Sequence, residues 1–202
     1  MVAVRIFVDF WNFQLCWNDA FHFDKSKGET PTKIDWKALP GVLMNELPTA
    51  FGGTTAVKDP INFKGINVYA SVNPDPAGRD VGLKNFLHRT LNQMPGYQVH
   101  VFERKERKST DDKGNIIIKT IEKGVDTRIV TDLFSGAIND TFDVALLVSN
   151  DSDFCPAIQT IQDRLDKRII HIGFRRGGDE IRSSCWSHVV LDGSVSEGMK
   201  IA

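Results

Sequence analysis

Four aspartates stand where apolar segments of the sequence end, and their type and spacing suit metal chemistry. Asp9 closes the apolar run of FVDFWN, and Asn12 follows three positions later. Asp126 lies in KGVD, while Asp151 and Asp153 lie in SNDSDF, directly after the most apolar run of the chain. Three separate segments therefore deliver carboxylates that could meet at one site.

Carboxylates that are brought together repel one another, and a hard divalent cation with oxygen ligands relieves that repulsion best. Mg²⁺ and Mn²⁺ fit this description. An ion held in this way bridges phosphate oxygens, lowers the pKa of an attacking water and offsets charge on the leaving oxygen. The acids thus indicate hydrolysis of a phosphodiester.

Each acid also has a structural interpretation. Asp153 could cap a helix that begins near Phe154, and Asp126 could be a cap or a partner of a helix dipole. Asp9 is harder to explain in this way, because an acid that closes a buried run needs a partner or an ion. Three acids at strand ends are together more specific than any one of them.

Two further acids are predicted to lie outside this group. Asp132 is six positions beyond Asp126, roughly 120° around a helix, so it cannot fully share the same face. We interpret it as a surface acid or one that supports the site indirectly. Asp143 begins a strand, at the wrong end of it, and is interpreted as a turn residue.

Other chemistries lack their motifs. The histidines form no HExxH or closely spaced pair, which disfavours a zinc hydrolase. Cys155 has no evident base, and Ser149 and Ser152 lie outside a GxSxG elbow. Neither GxGxxG nor GxxxxGK[ST] occurs, so dinucleotide-binding and P-loop proteins lose their main motif. The five histidines are His22, His88, His100, His171 and His188.

The acids need a scaffold, and the sequence alternates apolar runs with amphipathic segments. Strands are predicted at residues 2–8, 66–72, 97–103, 143–149 and 168–173. Helices are predicted at residues 12–20, 34–47, 80–91, 126–138 and 154–165, the second capped by Thr32 or Asp35. Alternating strands and helices imply parallel crossovers, and hence a three-layer α/β/α sandwich with a mainly parallel sheet. In such a sheet, functional groups collect at the carboxyl ends of the strands.

Two stretches break the alternation. Residues 51–64 contain turn-forming glycines and a proline and are predicted to be a surface loop. Residues 103–123 place a DDKGN turn between partly β-branched flanks, which predicts a β-hairpin insertion that protrudes from the core. No linker or repeat is evident, so we expect one domain over residues 1–202.

Composition limits the classes that apply. The hydrophobic fraction of 41% and charged fraction of 25% are ordinary for a soluble domain, and no run is long enough to cross a bilayer. The apolar N-terminus lacks the features of a signal peptide. Three cysteines without CxxC spacing favour a reducing, cytoplasmic setting. A net charge of −1 means that any basic groove must be local.

At these residues the sequence resembles the NYN domain family, which includes LabA-like proteins, within the PIN-like nuclease group. The matching motifs are D-x-x-N, K-G-V-D and S-N-D-S-D-F, and the resemblance runs from Val4 to about Leu191. It implies a Rossmann-like PIN sandwich and metal-dependent RNA cleavage. It also implies that the metal-site acids are Asp9, Asp126 and Asp151, with Asn12 and Asp153 close by.

The sequence departs from the family pattern at two places. Asn150 stands where family members commonly have glycine in S-G-D-S-D-F. Near the C-terminus, such proteins tend to carry an acid before the last strand, whereas this chain has Cys185-Trp186-Ser187-His188. An additional acidic ligand from that region is therefore not expected.

Basic residues next to the acids could contact phosphates without reading bases. A solvated hairpin and a charged loop are the alternative for these patches. Trp11, Phe13 and Trp17 could stack on bases or belong to the core. The basic candidates are Arg104, Lys105, Arg107 and Lys108 of the hairpin, with Lys123, Arg175, Arg176 and Arg182.

Three functions stay open. The first is a ribonuclease that uses Mg²⁺ or Mn²⁺ on single-stranded or structured RNA. The second is a catalytically weak module that binds RNA or a nucleotide in the same cleft. The third, a haloacid dehalogenase-like phosphatase, needs D-x-D-x-[TV], and Asp9 is instead followed by Phe10 and Trp11. The sequence leaves the oligomeric state open, with a homodimer as one alternative.

Overall fold

The computed structural model describes residues 1–21, 25–28, 30–52, 59–74, 78, 80–110, 114 and 116–201, with the backbone alone at residues 25 and 117–119. Within these residues, six strands form one sheet in the order β3-β2-β1-β6-β7-β8, and every neighbouring pair is parallel. The strands are β1 (Val2–Asp9), β2 (Ile61–Val72), β3 (Tyr97–Glu103), β4 (Lys105–Thr110), β5 (Ile116–Ile121), β6 (Val144–Val148), β7 (Arg168–Gly173) and β8 (Ser187–Val190).

Helices cover both faces of this sheet. One face packs against α1 and α2, and the other packs against α5, α6 and α7. The helices are α1 (Phe10–Ala20), α2 (Leu39–Asn45), α3 (Leu47–Ala50), α4 (Val81–Asn85), α5 (Val125–Ile138), α6 (Cys155–Leu165), α7 (Asp179–Ser184) and α8 (Gly193–Glu197). The predicted three-layer α/β/α sandwich is confirmed.

The sheet has an apolar core on each of its two faces, because side chains along a strand point alternately to one face and the other. In β1, Val4, Ile6 and Val8 point to the α1 side, whereas Phe7 points to the α5 side. Successive strand residues face opposite sides of a sheet, so a strand that is covered on both sides needs an apolar residue at nearly every position. Val144–Val148 meets this requirement at all five positions. Among the described residues, no helix is both long and apolar enough to cross a membrane.

The predicted loop at residues 51–64 is wrong at its C-terminal end, because β2 already begins at Ile61 and pairs with Val2. Lys64 is an extra residue between the pairs Val4–Phe63 and Arg5–Gly65, which makes a β-bulge. Gly65 adopts a φ of 123° there. The bulge interrupts the regular pattern of apolar residues, and the strand was therefore predicted to start at residue 66. Residues 53–58 lie outside the described part of the chain.

Helix boundaries differ from the predictions where proline intervenes. The helix expected at residues 34–47 begins only at Leu39, after a turn in which Asp35 accepts hydrogen bonds from the amides of residues 37 and 38. Pro48 then lacks the N–H that would continue this helix, and a separate short helix, α3, follows. Residues 80–91 form α4, one π-helical turn at Phe86–Thr90 and the 3₁₀ turn Leu91–Gln93.

The predicted hairpin is present as the antiparallel pair β4 and β5. It follows β3 directly and leads into α5, so it is inserted between a strand of the sheet and the helix that carries Asp126. The DDKGN turn lies outside the described residues except for Gly114. Because successive side chains of a strand alternate, Lys105 and Arg107 share one face of this ribbon and Lys108 lies on the other.

The packing of α5 against the loop before β6 can be tested at Gly136. A Cβ at this position would lie 2.7 Å from Phe142 Cε1 and 2.9 Å from Thr141 Oγ1. We expect Gly136→Ala to lower the free energy of unfolding by about 1–3 kcal/mol, because the core has no room for the added methyl group. Gly41→Ala in α2 is the control, since no atom lies within 4 Å of that Cβ. Denaturant unfolding that gives both variants the same stability would contradict the proposed contact.

Candidate active site

The acidic segments meet at the carboxyl edge of the sheet. Strands β1 and β6 are parallel neighbours in which Val8 pairs with Val148. The residues that follow, Asp9 and Ser149, are therefore adjacent, and Ser149 Oγ lies 3.4 Å from Asp9 Oδ2. Asp151 and Asp153 follow in the loop after β6. Helix α5 carries Asp126, and the end of the hairpin brings a further acid to the same edge. This grouping follows from the parallel topology, because all strands of a parallel sheet end on one side.

Asp9 is the buried floor of the site, with only 5% of its surface exposed. It is both the last residue of β1 and the N-cap of α1, so the chain passes from strand to helix without a loop. Its Oδ1 accepts a hydrogen bond of 3.2 Å from the Asn12 amide, and its other oxygen accepts one from Ser149. These two donors hold the carboxyl group in place.

The environment of Asp9 favours the protonated acid. Burial, together with the negative charges of Glu122 and Asp126, raises its pKa from 3.8 to about 7. The hydrogen bonds from Asn12 and Ser149 oppose this rise, since they stabilise the ionised form. A carboxyl group with this pKa exchanges its proton near neutral pH, so a nearby cation would readily displace that proton.

Asp126 lies in the first turn of α5. The N-cap of this helix is Gly124, which has a φ of 93° and no side chain to cap the helix, and Asp126 itself makes no capping bond. The residue is exposed as a whole, but the protein around its carboxyl group partly desolvates it and raises its pKa. The charges of Asp151, Glu122 and Asp153 raise the pKa further. Asp126 therefore faces the same site as these acids.

Asp151 caps the short 3₁₀ helix Ser152–Phe154, because its Oδ1 accepts a hydrogen bond of 2.9 Å from the Asp153 amide. Of the two interpretations of Asp153, the cap is contradicted, since Asp153 contributes its backbone N–H to the Asp151 cap and its side chain makes no capping bond. The reason is the 3₁₀ turn in front of α6, which moves the capping position back by two residues. The Asp153 carboxylate is thus left exposed at the rim of the site.

Glu122 is a fifth acid at this site, and the sequence did not single it out. It follows β5, and its Oε2 accepts a hydrogen bond from the hydroxyl of the fully buried Ser71. Its charge raises the pKa of both Asp9 and Asp126. One feature of the sequence could have pointed to Glu122, namely its position four residues before Asp126. Glu122 also ends a charged hairpin, however, and an acid in such a segment is most simply explained as a solvated surface residue. Only the fold shows that β2 supplies its partner.

A polar scaffold fixes the loop after β6. Asn12 Oδ1 accepts a hydrogen bond of 2.8 Å from the Asn150 amide, and Asn150 Oδ1 lies 3.1 Å from His171 Nε2. Burial, together with the charge of Arg182, lowers the pKa of His171 to about 4, so this histidine is neutral near pH 7. Asn150 fills space next to Gly173 and Gly178, where a Cβ at either glycine would collide with it.

The donor set fits a hard cation by its chemistry. All five side chains offer carboxylate oxygens, and none of them makes an ion pair within the described residues. No group of three or more His, Cys, Asp or Glu side chains in that part of the chain is close enough to hold an ion as it stands. Repulsion between ionised carboxylates favours such separation until a cation neutralises them. The five acids are Asp9, Glu122, Asp126, Asp151 and Asp153.

The predicted basic residues divide into two groups. Arg104 and Arg182 are used internally: Arg104 hydrogen-bonds Ser71 and covers the Trp11 ring, while Arg182 bonds the carbonyl oxygens of the loop after β7. The other six basic residues are exposed, so their charged groups can contact a ligand from solvent. These exposed residues are Lys105, Arg107, Lys108, Lys123, Arg175 and Arg176.

Several other candidates lie away from the acids. Phe13 and Trp17 are core residues, as one of the two alternatives predicted. Trp186 packs on Phe51 and under Arg168, at the start of β7 and thus at the opposite edge of the sheet. Asp132 accepts a hydrogen bond of 2.9 Å from the Tyr69 hydroxyl and pairs with Arg128.

Asp143 lies just before β6, at the amino edge of the sheet. Its Oδ2 accepts a hydrogen bond of 2.8 Å from the Ala3 amide, and it lies 3.7 Å from the ammonium group of Lys167. This position agrees with its interpretation as a residue at the wrong end of the strand to join the acidic site.

The profile of the NYN domain family matches residues 4–192, and the chain belongs to this family, which is part of the PIN-like nuclease superfamily. No curated protein matches the sequence. A crystal structure of a protein of unknown function from Vibrio parahaemolyticus is similar, with a TM-score of 0.62 and 17% identity. The similarity covers 99% of this chain and 96% of that one, and at this identity it concerns the fold alone.

The pKa of Asp9 predicts how stability depends on pH without divalent cations. The folded pKa of about 7 lies above the unfolded value of 3.8, so the folded state holds a proton over this interval that the unfolded state has lost. The contribution of Asp9 to stability therefore falls as pH rises from 3.8 to about 7. Asp9→Asn keeps an oxygen acceptor for the cap, and we expect this variant to exceed the parent in stability above pH 7.

The measurement is denaturant unfolding in chelator across this pH range. The exposed α6 variant Asp163→Asn is the control and should follow the parent curve. If the stability difference between Asp9→Asn and the parent does not change with pH, or moves in favour of the parent as pH rises, the pKa of Asp9 is not raised in the folded state.

Proposed function

We propose that this protein is a metal-dependent ribonuclease that hydrolyses RNA phosphodiester bonds with Mg²⁺ or Mn²⁺. The observation that carries this proposal is the convergence of acids from three segments at the carboxyl edge, where burial and their mutual repulsion raise the pKa values of Asp9 and Asp126. Perturbed carboxyl groups that lack cationic partners are typical of functional sites. Membership of a family of PIN-like nucleases points to the same chemistry.

In this proposal, Asp9, Asp126 and Asp151 hold the ion, with Asn12 and Asp153 beside them and Glu122 as a further acid. A divalent ion bound to carboxylates supplies charge neutralisation at the phosphate and a more acidic water. Asp9 would give up its proton to solvent on binding such an ion, because the acid is partly protonated near neutral pH. Asn12 ties α1 to the loop after β6, because its side-chain oxygen accepts a hydrogen bond from the Asn150 amide.

The exposure of the acids suits this division of roles. Asp9 is buried, Asp151 is half-buried, and the remaining three acids are exposed at the rim. A phosphate of an RNA strand can therefore approach from the rim while the deepest carboxylate stays shielded from bulk water. Shielding strengthens electrostatic interactions with the reacting groups, because the local dielectric constant is lower than in water.

A catalytically weak module that binds RNA or a nucleotide is the second candidate. The separation of the acids in the described part of the chain favours it, since no three of them form an assembled ion site. Both candidates use the same cleft, but only the first requires turnover of RNA in the presence of a divalent cation.

Cleavage of a labelled RNA with Mn²⁺ or Mg²⁺ tests the proposal. We expect Asp9→Asn, Asp126→Asn and Asp151→Asn each to lower the rate at least about 100-fold, because loss of even indirect partners of a metal site costs 10–100-fold. Each variant should stay folded, since asparagine retains the acceptor oxygen that Asp9 and Asp151 use as caps. Glu122→Gln should weaken Mn²⁺ binding, measured by calorimetry, about tenfold or more.

Two comparisons make this test specific. Asp151→Ala should lose about 0.5–2 kcal/mol of stability as well as activity, because the cap is lost together with the charge. Asp163→Asn, an exposed acid on α6, should cleave like the parent. The binding module would be supported instead by two results together. The parent protein would leave RNA intact with either ion, and a binding assay would still detect an RNA complex that chelator disrupts.

The basic hairpin is proposed to contact phosphates through one face of its ribbon. Lys105 and Arg107 share a face, whereas Lys108 lies on the face of Glu106, whose charge offsets it. We expect a Lys105→Ser/Arg107→Ser double variant to reduce the slope of log affinity against log salt by about 2, and Lys108→Ser by less than 1. Fluorescence anisotropy with a labelled RNA measures this, and equal slopes for all three proteins would exclude the hairpin from the interface.

A further inference from the structure

A cavity of about 620 Å³ lies beside the acidic site, between the C-terminal half of α1 and the segment that follows β7. Its walls are mainly apolar and include Leu15, Cys16, Phe174 and Leu191. Leu15 is unusual, because 63% of this large apolar side chain is exposed. Nothing in the metal chemistry proposed above uses this cavity.

The cavity is connected to the acidic site through hydrogen bonds. Asn150 Nδ2 donates to Cys16 Sγ at 3.4 Å and to the Arg176 carbonyl oxygen at 3.5 Å, while its backbone amide is held by Asn12. Helix α1 starts at the Asp9 cap and presents Cys16 seven residues later, which corresponds to about 10 Å along the helix. Neighbouring nucleotides of one strand can therefore occupy the two places together.

The rim of the cavity carries two arginines, each with 83% of its side chain exposed. Arg175 lies 3.4 Å from Asp192, and Arg176 lies 3.7 Å from Asp19. Exposed ion pairs of this kind contribute little to stability, because water and salt screen their charges. A phosphate can therefore replace either carboxylate at small cost, and arginine binds phosphate through two parallel hydrogen bonds.

We propose that this cavity seats one nucleobase of an RNA strand whose adjacent phosphate lies at the acidic site, an inference that rests on the proposed function. The apolar walls suit the faces of a base, and the arginines suit the phosphate attached to the same nucleotide. Removing a base from water onto apolar or aromatic side chains is a general source of affinity that depends little on sequence. The cavity thus positions the strand relative to the acids.

The wall of the cavity is tested with Leu15→Ala in the Asp151→Asn background, so that the RNA stays intact. The probe is a short labelled oligoadenylate in chelator, and we expect about tenfold weaker binding by fluorescence anisotropy. Ile138→Ala is a matched control, because Ile138 is also a large apolar helix residue and is 64% exposed. It should bind like the Asp151→Asn parent.

An abasic substitution separates base burial from general binding. Abasic nucleotides are introduced at each position of the oligoadenylate in turn. One position should cost about tenfold in affinity with the Asp151→Asn protein and much less when Leu15→Ala is also present, because both changes remove the same contact. Equal losses in the two proteins at every position would overturn the proposal.

The rim is tested by removing a competing carboxylate. Asp19→Asn should tighten binding, since it frees Arg176 for phosphate, and Arg176→Gln should weaken it. Asp140→Asn is the control, because it changes the net charge by the same amount. Asp140 pairs with Lys167 at the opposite edge of the sheet. If Asp19→Asn and Asp140→Asn tighten binding equally, only net charge matters and the rim makes no specific contact.

The outcomes keep the two proposals apart. If the parent cleaves RNA while Leu15→Ala and the abasic series change nothing, the ribonuclease stands and the base cavity is excluded. If the parent never cleaves but these changes weaken binding as expected, the cavity stands and hydrolysis is excluded. If Leu15→Ala leaves RNA affinity unchanged but alters the molecular mass in solution, the cavity belongs to a contact between protein copies and the proposal is overturned.

Discussion

The carboxyl group of Asp9 is buried at the end of β1, and the elements around it are arranged so that its charge can be accommodated. The chain turns directly into α1, whose first-turn amide at Asn12 donates to Oδ1, and Ser149, which follows the neighbouring strand β6, donates to Oδ2. These bonds only partly offset desolvation, which is the largest influence on its pKa. Ionised Asp9 therefore lowers the stability of the protein without a bound cation. A ligand that neutralises this charge would stabilise the folded state.

Parallel strand order explains why the other acids surround Asp9. Strands β2, β1, β6 and β7 end on one side of the sheet, so residues that are far apart in sequence become neighbours. The hairpin between β3 and α5 adds to this arrangement, because its last strand returns to the sheet beside Ser71 and leaves Glu122 next to Asp9 and Asp126. The insertion therefore contributes to the acidic site as well as extending a basic ribbon.

The sequence was informative where one residue type has one strong physical requirement. The sequence predicted the core strands from apolar runs that are covered on both faces, and the metal-site roles of Asp9, Asp126 and Asp151 stay predictions. It was uninformative where a role depends on a partner distant in the chain. Glu122 needs the hydroxyl of Ser71, and Arg104 is drawn away from solvent by Ser71 and Trp11, and none of these pairings has a local signal. The cap at Asp151 was missed because a 3₁₀ turn and an α-helix start with the same residue types.

Asn150 joins these observations, because it stands at the family's usual glycine position and yet makes more contacts than its neighbours in the motif. Its amide is held by Asn12, its side-chain oxygen faces neutral His171, and its Nδ2 reaches Cys16 at the edge of the apolar cavity. A glycine here would keep only the backbone bond and would leave space beside Gly173 and Gly178. Asn150 is half-buried, and these neighbours pair the polar atoms that its surroundings shield from water. The loop that carries Asp151 is thereby coupled to α1 at Asn12 and at Cys16, and Cys16 is also a wall residue of the cavity.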